Sequence, residues 1–281
     1  MLHNFSYYRP DTLADAVSFL AQHGPDTMVF SGGTDLFVGI RAGIATPAHV
    51  LDLKGVTELH ALEWSASDGL SIGACVTVNE LVANPNVRRE FPILRIAGEE
   101  LATYQLRNRA TVIGNIVTAS PCGDMSGPLY TLGGEVVLQS SSGERRLPLG
   151  EFITGVKRTM IRPDEVVTRI VVPPTWARAA GGYQKLKRIK GHDLGVVSVA
   201  MIRTAAAIRC AISSAAPTPV LLPDFPPDTD AETIKKKAQE MISPIDDVRA
   251  TAAYRSFMVE EFIDRLVDGG LSTDSTAEAT V

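Results

Sequence analysis

The 281-residue chain predicts an α+β fold in two domains, on three observations. Helix-period and strand-like stretches alternate through its first half. A Pro173-Pro174 pair then ends a β-branched strand where none can continue. Beyond it, three strand-like runs are followed by two helical ones, the order of an antiparallel sheet backed by helices. The expected division is residues 1–174, residues 175–270, and a Ser/Thr/Ala-rich disordered tail over residues 271–281.

Residues 12–23 predict a helix: Leu13, Ala16, Val17 and Leu20 recur on one face, and Thr12 and Asp15 form a cap pair. Residues 27–30 are a short apolar run ending in a glycine loop, so that loop leaves the end of a strand. Residues 50–53 and 70–72 are further strand candidates. Thr77-Val78-Asn79-Glu80 is a capping box opening a short helix that ends near Pro85, and residues 91–101 predict another helix. Residues 135–139 and 145–147 flank Ser-Ser-Ser-Gly, a hairpin signal, and residues 165–172 alternate as a strand. After the proline pair, residues 183–188, 195–203 and 207–213 read as strands, 217–227 as a proline-rich loop, and 231–242 and 247–267 as helices. No internal repeat is visible.

An apolar fraction of 45% with 21% charged residues is ordinary for a globular protein. The formal net charge of −5 argues against a nucleic-acid partner, and the one basic cluster, residues 185–190, is too short to track phosphates. No apolar run reaches the length of a transmembrane segment, and Met1-Leu2-His3-Asn4-Phe5 lacks the features of a signal peptide, so a cytoplasmic location is expected. Cys75, Cys122 and Cys210 are an odd set without a CxxC, which argues against a disulfide framework and a zinc site. Three thiols also cannot supply a four-thiolate iron–sulfur cluster.

Two glycine-bearing loops carry the chemistry. They are Ser31-Gly32-Gly33-Thr34-Asp35-Leu36 and Thr111-Val112-Ile113-Gly114-Asn115, the second running on into Thr118-Ala119-Ser120-Pro121-Cys122-Gly123-Asp124. A backbone that turns its N–H groups toward a pyrophosphate needs φ > 0 or a missing Cβ. Thr34, Thr111, Asn115 and Asp124 add short side chains able to bond phosphate, ribose and ring heteroatoms. The first loop alone fits a plain turn equally well. It is neither a Walker A loop, because no Gly-Lys-Ser/Thr follows, nor a GxGxxG fingerprint, because the glycine spacing is wrong.

Together the segments Ser-Gly-Gly-Thr-Asp-Leu, Leu-Arg-Asn-Arg-Ala-Thr-Val-Ile-Gly-Asn and Ala-Ser-Pro-Cys-Gly-Asp resemble the FAD-binding (medium) subunit of the molybdenum hydroxylase family, which includes xanthine dehydrogenases and aerobic carbon monoxide dehydrogenases. The likeness extends to Phe5-Ser6-Tyr7-Tyr8-Arg9-Pro10, to Tyr183-Gln184-Lys185-Leu186-Lys187-Arg188, and to Asp247-Val248-Arg249 with Tyr254-Arg255. It implies a two-lobed FAD-binding domain of the vanillyl-alcohol-oxidase-like type over residues 1–174 and the family's sheet-and-helix domain after it. Val29, Phe30, Ser31, Gly32, Gly33, Thr34, Asp35 and Leu36 would form the first pyrophosphate loop; Thr111, Gly114 and Asn115 would belong to the second. Asp124 matches an acid near the cofactor, Lys185 a lysine approaching the flavin from the second domain, and Leu101 and Val167 apolar cofactor contacts. One position departs from the pattern: Ile113 stands where the family shows a glycine, and a β-branched residue there would be strained if φ were positive.

The resemblance further implies noncovalent FAD as the only cofactor of this chain, with no catalytic side chain and no metal ligand of its own. Molybdopterin would sit in a large partner subunit and 2Fe-2S clusters in a small one, in a heterotrimer or its dimer. The flavin would pass electrons to NAD, a quinone or oxygen. The cysteine count disfavours the benzoyl-CoA-reductase branch, whose flavin subunit adds a cysteine-rich insertion.

Other candidates have plainer readings. Cys122 has no activating base legible in the sequence. His192-Asp193 suggests a catalytic pair, but adjacent side chains on an extended chain point apart. The family has an aspartate at this position, and the resemblance implies that Asp193 orders the loop beside the flavin. His3, His23, His49 and His60 lack metal-ligand spacing. The alternatives to an electron-transfer subunit are a self-contained FAD-dependent oxidase of the same superfamily and a non-catalytic nucleotide-binding assembly protein. The short stretch after Pro174 leaves little room for the cap domain of the former.

Overall fold

The computed structural model describes residues 3–273. The chain opens with β1 (Ser6–Tyr8) and enters α1 (Leu13–His23), where Thr12 Oγ1 accepts the Asp15 amide at 3.1 Å. Such a cap is worth about 1 kcal/mol. The backbone returns as β2 (Thr27–Phe30), turns into α2 (Leu36–Arg41), and closes a parallel sheet with β3 (His49–Asp52) in the order β1-β3-β2. Phe30, Ile40 and Val50 form its small core, with Phe5, Leu36 and Phe37 packed against them.

A second lobe follows. After β4 (Leu62–Ser65) and β5 (Gly69–Gly73) come six short helices: α3 (Val78–Ala83), α4 (Pro85–Glu90), α5 (Pro92–Glu100), α6 (Tyr104–Arg107), α7 (Val112–Val117) and α8 (Ser126–Thr131). The expected capping box is present, with Glu80 accepting the Thr77 amide at 2.7 Å and Thr77 Oγ1 accepting the Glu80 amide at 3.2 Å. Pro85 ends one helix and starts another, because a first helical residue has no intrahelical partner for its N–H; Pro92 does the same for α5. The hairpin β6 (Glu135–Ser140) and β7 (Gly143–Pro148) is followed by α9 (Leu149–Phe152), by a small hairpin of β8 (Ile153–Gly155) and β9 (Arg158–Thr159), and by β10 (Val166–Val172). These strands make an antiparallel sheet in the order β4-β5-β10-β6-β7, with its last strand in sequence at its centre.

The remainder builds a four-stranded antiparallel sheet from β11 (Ala180–Leu186), β12 (Val197–Arg203), β13 (Ile208–Ser213) and β14 (Val220–Leu221), with α10 (Ala231–Met241) and α11 (Ala252–Val267). Alternate residues of β12 serve different cores. Val197, Val199 and Met201 pack with Val259, Phe262 and Ile263 of α11, while Ala200 and Ile202 join the core of the preceding lobe. Two adjacent glycines make this sandwich possible. A Cβ on Gly181 would lie 2.8 Å from Ile93 of α5, and one on Gly182 would lie 2.5 Å from Leu266 of α11. With successive side chains on opposite faces, Tyr183 and Lys185 share the α5 side with position 181.

Three expectations change. The 217–227 loop contains β14, and Phe225 bridges Ile208. The last helix starts at Ala252 rather than at 247, because Asp247 Oδ1 takes the Arg249 and Ala250 amides at 2.8 and 3.2 Å and holds that stretch in a turn. In the tail, Ser272 pairs with Gly181 through two 3.0 Å backbone bonds, so residues 271–273 are tied to the sheet; residues 274–281 lie outside the described residues. Among the described residues, no helix is long and apolar enough to cross a membrane.

Candidate functional site

The first glycine loop joins the end of β2 to the start of α2. Gly33 has φ +73°, and a Cβ there would lie 2.5 Å from the Phe30 ring and 2.9 Å from that of Phe37. Gly32 is closed off differently: its Cβ would lie 2.3 Å from the Arg109 carbonyl oxygen and 3.1 Å from the Thr111 nitrogen. The two loops therefore touch backbone to backbone, and Ser31 Oγ and Thr111 Oγ1 hydrogen-bond across the seam at 3.1 Å. Below the loop, Lys54 Nζ donates to the Ser31 carbonyl at 3.3 Å and lies 3.1 Å from the Phe30 ring centre. Asp52 holds Lys54 at 2.6 Å and also accepts the Tyr7 hydroxyl. Burial opposes ionisation of Asp52, but these hydrogen bonds outweigh it and keep the carboxyl below its usual value.

The second loop is organised by side chains. Thr111 Oγ1 caps α7 by accepting the Gly114 amide at 3.0 Å. Asn115 Oδ1 accepts the Met125 amide at 3.2 Å, which folds the Ser120–Asp124 turn back onto the helix. Ile113 lies inside α7, 4% exposed, and is absent from the residues with positive φ, so the feared strain does not arise. A positive φ falls instead on Ala119, at +47°. Ser126 Oγ is buried without a hydrogen-bond partner, and an added Cβ on Gly123 would lie 3.0 Å from it and 3.1 Å from Asn115 Oδ1.

Asp124 ends this turn, 7% exposed. It accepts the Tyr183 hydroxyl at 2.8 Å and Lys185 Nζ at 3.0 Å, while the same Nζ donates to the Glu100 carbonyl at 3.1 Å. Burial raises the Asp124 pKa, and Lys185 pulls it back only in part. Burial, followed by the nearby Asp124 charge, lifts Tyr183 well above its usual value. An amine, a carboxyl and a phenol from both halves of the chain thus share one buried corner. Leu101 follows Glu100 directly and is 5% exposed. Its carbonyl accepts Arg107 Nη1 at 2.9 Å, and the next residue, Ala102, takes φ +46°. Val167 is buried on β10, a strand that packs against α7. Val29 and Asp35 are exposed, while Phe30 is buried in the small core below the loop.

The plainer candidates resolve locally. Asp193 accepts the Arg188 amide and guanidinium and the Leu194 amide, which ties its own turn. Cys122 Sγ accepts Arg249 Nη1 at 2.9 Å, and Arg249 is in turn held by Asp247. Cys75 and Cys210 are buried thiols pushed up to about 12 by burial. Sequence reasoning missed Tyr183, Lys54, Lys157 and Ser126. Only Tyr183 carried a signal, since it stands two residues before Lys185 on a strand and so on the same face.

The arrangement pairs a glycine turn and a turn organised by side chains with one buried acid and its lysine. Gly32 and Gly33 let the first loop pack directly on the Arg109–Thr111 backbone and on the Phe30 and Phe37 rings, and Ser126 leaves an orphaned buried hydroxyl, which is compatible with a bound dinucleotide. The family described as FAD binding domain in molybdopterin dehydrogenase matches residues 3–175. The carbon monoxide dehydrogenase medium chain of Hydrogenophaga pseudoflava is 28% identical over 277 residues, spanning 94% of this chain and 96% of that one. The nicotine 6-hydroxylase medium subunit of Paenarthrobacter nicotinovorans is 29% identical over 283 residues, covering 95% and 98%. A solved carbon monoxide dehydrogenase from Hydrogenophaga pseudoflava, lacking the Mo-pyranopterin moiety of its cofactor, contains a chain of TM-score 0.89 and 27% identity, covering 96% of this chain and 98% of that one. With the match running across both glycine loops, this chain belongs to the family of FAD binding domains in molybdopterin dehydrogenases, as an FAD subunit of the molybdenum hydroxylase type.

Proposed function

We propose that this chain is the electron-transfer subunit of a cytoplasmic molybdenum hydroxylase, with residues 1–174 as its FAD-binding domain and residues 175–270 as the family's C-terminal domain. Its partners would be a large molybdenum-cofactor subunit and a small iron–sulfur subunit, in a heterotrimer or its dimer. When bound, FAD supplies two-electron chemistry between the partner's 2Fe-2S clusters and NAD, a quinone or oxygen.

The observation that carries this reading is the direct contact between the two glycine loops, through Gly32 and the Ser31–Thr111 hydrogen bond, beside the buried Asp124–Lys185 pair. Residues 29–36 with Thr111, Gly114 and Asn115 are assigned to the pyrophosphate half of the cofactor. Asp124, Lys185, Leu101 and Val167 are assigned to the remainder. In these roles Thr111 and Asn115 keep the second turn in shape, and Lys185 offsets part of the cost of burying the Asp124 carboxyl.

The purified chain should bind about one FAD that acid precipitation releases to the supernatant. Yellow colour retained in the pellet would contradict noncovalent binding, and released FMN would contradict a pyrophosphate site. The flavin of the lone subunit should be bleached by dithionite but not by aldehydes, purines or carbon monoxide, and adding the cognate partner subunits should make bleaching substrate-dependent. Rapid bleaching of the lone subunit by one of those substrates would instead support a self-contained oxidase.

A further inference from the structure

The β8–β9 turn reaches both glycine loops through one residue. Lys157 donates its backbone N–H to the Ala119 carbonyl of the second loop at 2.9 Å, and its Nζ lies 3.1 Å from Asp35 Oδ2 of the first. Lys157 holds φ +56°, an uncommon conformation for a lysine, and its partner Ala119 is left-handed too. The two side chains remain 57% and 64% exposed, so as a structural ion pair they add little to folding. The pairing matters for a different reason. Asp35 is a carboxylate carried on a loop assigned to a dianionic diphosphate, where like charges oppose binding unless one is offset. Asp35 makes no side-chain cap to α2 that would otherwise engage it.

We propose that Lys157 is a positioning residue for FAD retention, acting through Asp35: it neutralises the carboxylate of the first loop while its backbone clasps the second. This rests on the assignment of both loops to the FAD pyrophosphate. Methionine and arginine both keep the N–H that bonds Ala119, so these replacements at position 157 report on charge.

FAD affinity of the full chain should be measured for Lys157→Met, Lys157→Arg, Asp35→Asn and the Lys157→Met/Asp35→Asn double variant, with melting temperatures alongside. Lys157→Met should weaken FAD binding by about fivefold at low salt, the upper end for an exposed pair, and the gap should narrow at high salt. Lys157→Arg should hold FAD like the parent, and the double variant should recover most of the loss. Unchanged affinity in Lys157→Met would overturn the proposal. So would a double variant as weak as Lys157→Met, because the lysine would then act on the cofactor directly. Gly33→Val, measured in parallel, separates the two levels of inference. Loss of FAD there with no effect at Lys157 rejects only the clasp, whereas full FAD retention in Gly33→Val rejects the loop assignment and the clasp with it.

Discussion

The two glycine loops are held by opposite means. The first is shaped by what is missing: Gly32 and Gly33 sit where any side chain would strike a carbonyl or an aromatic ring, and α2 starts without a side-chain cap. The second is shaped by what is present, with Thr111, Asn115 and Asp124 each bonded to backbone or to a distant side chain. A site defined by absence fails at once when an atom is added. A site defined by hydrogen bonds degrades in steps, and it tolerates Ile113 in a glycine position because α7 supplies a helical backbone there.

The largest effect should come from Gly33→Val. A β-branched residue at φ +73° adds strain of about 1–3 kcal/mol and drives its Cβ into the Phe30 ring. The flavin-to-protein ratio should fall to near zero, and a stoichiometric ratio would break the contrast drawn above.

Next is Lys185→Met, which strands a buried carboxyl in the second loop; about 3 kcal/mol of stability should be lost in chemical denaturation at neutral pH. The loss should shrink on acidification. Burial already raises the folded-state pKa of Asp124, and removing its cation raises it further. A group with a raised folded pKa stabilises the fold below its unfolded value and loses that contribution as pH rises through the folded value. Lys185→Met should therefore lie closer to the parent at pH 5 than at pH 8, and a pH-independent deficit would rule out this account.

Asn115→Ala should be milder, about 1–3 kcal/mol, for the Met125 amide loses its acceptor but the helix remains. Isothermal titration with FAD would sharpen the comparison, since graded weakening is expected here and outright loss at Gly33. Smallest of all is Cys122→Ser. The hydroxyl can still accept from Arg249, so stability should stay within about 0.5 kcal/mol of the parent and flavin content should be unchanged.

Local signals in the sequence revealed those parts of the fold that local physics controls. The Thr12 and Thr77 caps, the β2 run into the first loop and the β6–β7 hairpin each depend on neighbours in sequence. The helices α6, α7 and α8 span only four to six residues, too short for a periodic pattern to show. The late start of the last helix was hidden because Asp247 competes for backbone amides, a choice reinforced by Arg255 of the first helical turn at 2.7 Å. At the site, glycine spacing and family likeness pointed to the loops and to Asp124 and Lys185. Lys54 and Lys157 left no trace, since their targets, the Ser31 carbonyl and the Asp35 carboxylate, are brought near only by tertiary packing.

The central position of β10 bears on how the chain is made. When a nascent chain has emerged only as far as β7, the hairpins β4-β5 and β6-β7 face each other across an unfilled gap, each with an open edge. The helices that carry the second loop are strung between β5 and β6. The Val112 amide bonds the Val76 carbonyl without help from β10, while the packing of α7 on β10 waits for residues 166–172 to leave the ribosome. Pairings so distant in sequence are slow to form. Flavin would then meet a lobe completed late in synthesis and stabilise it by mass action. Newly made chains would spend that interval exposed to aggregation and proteolysis.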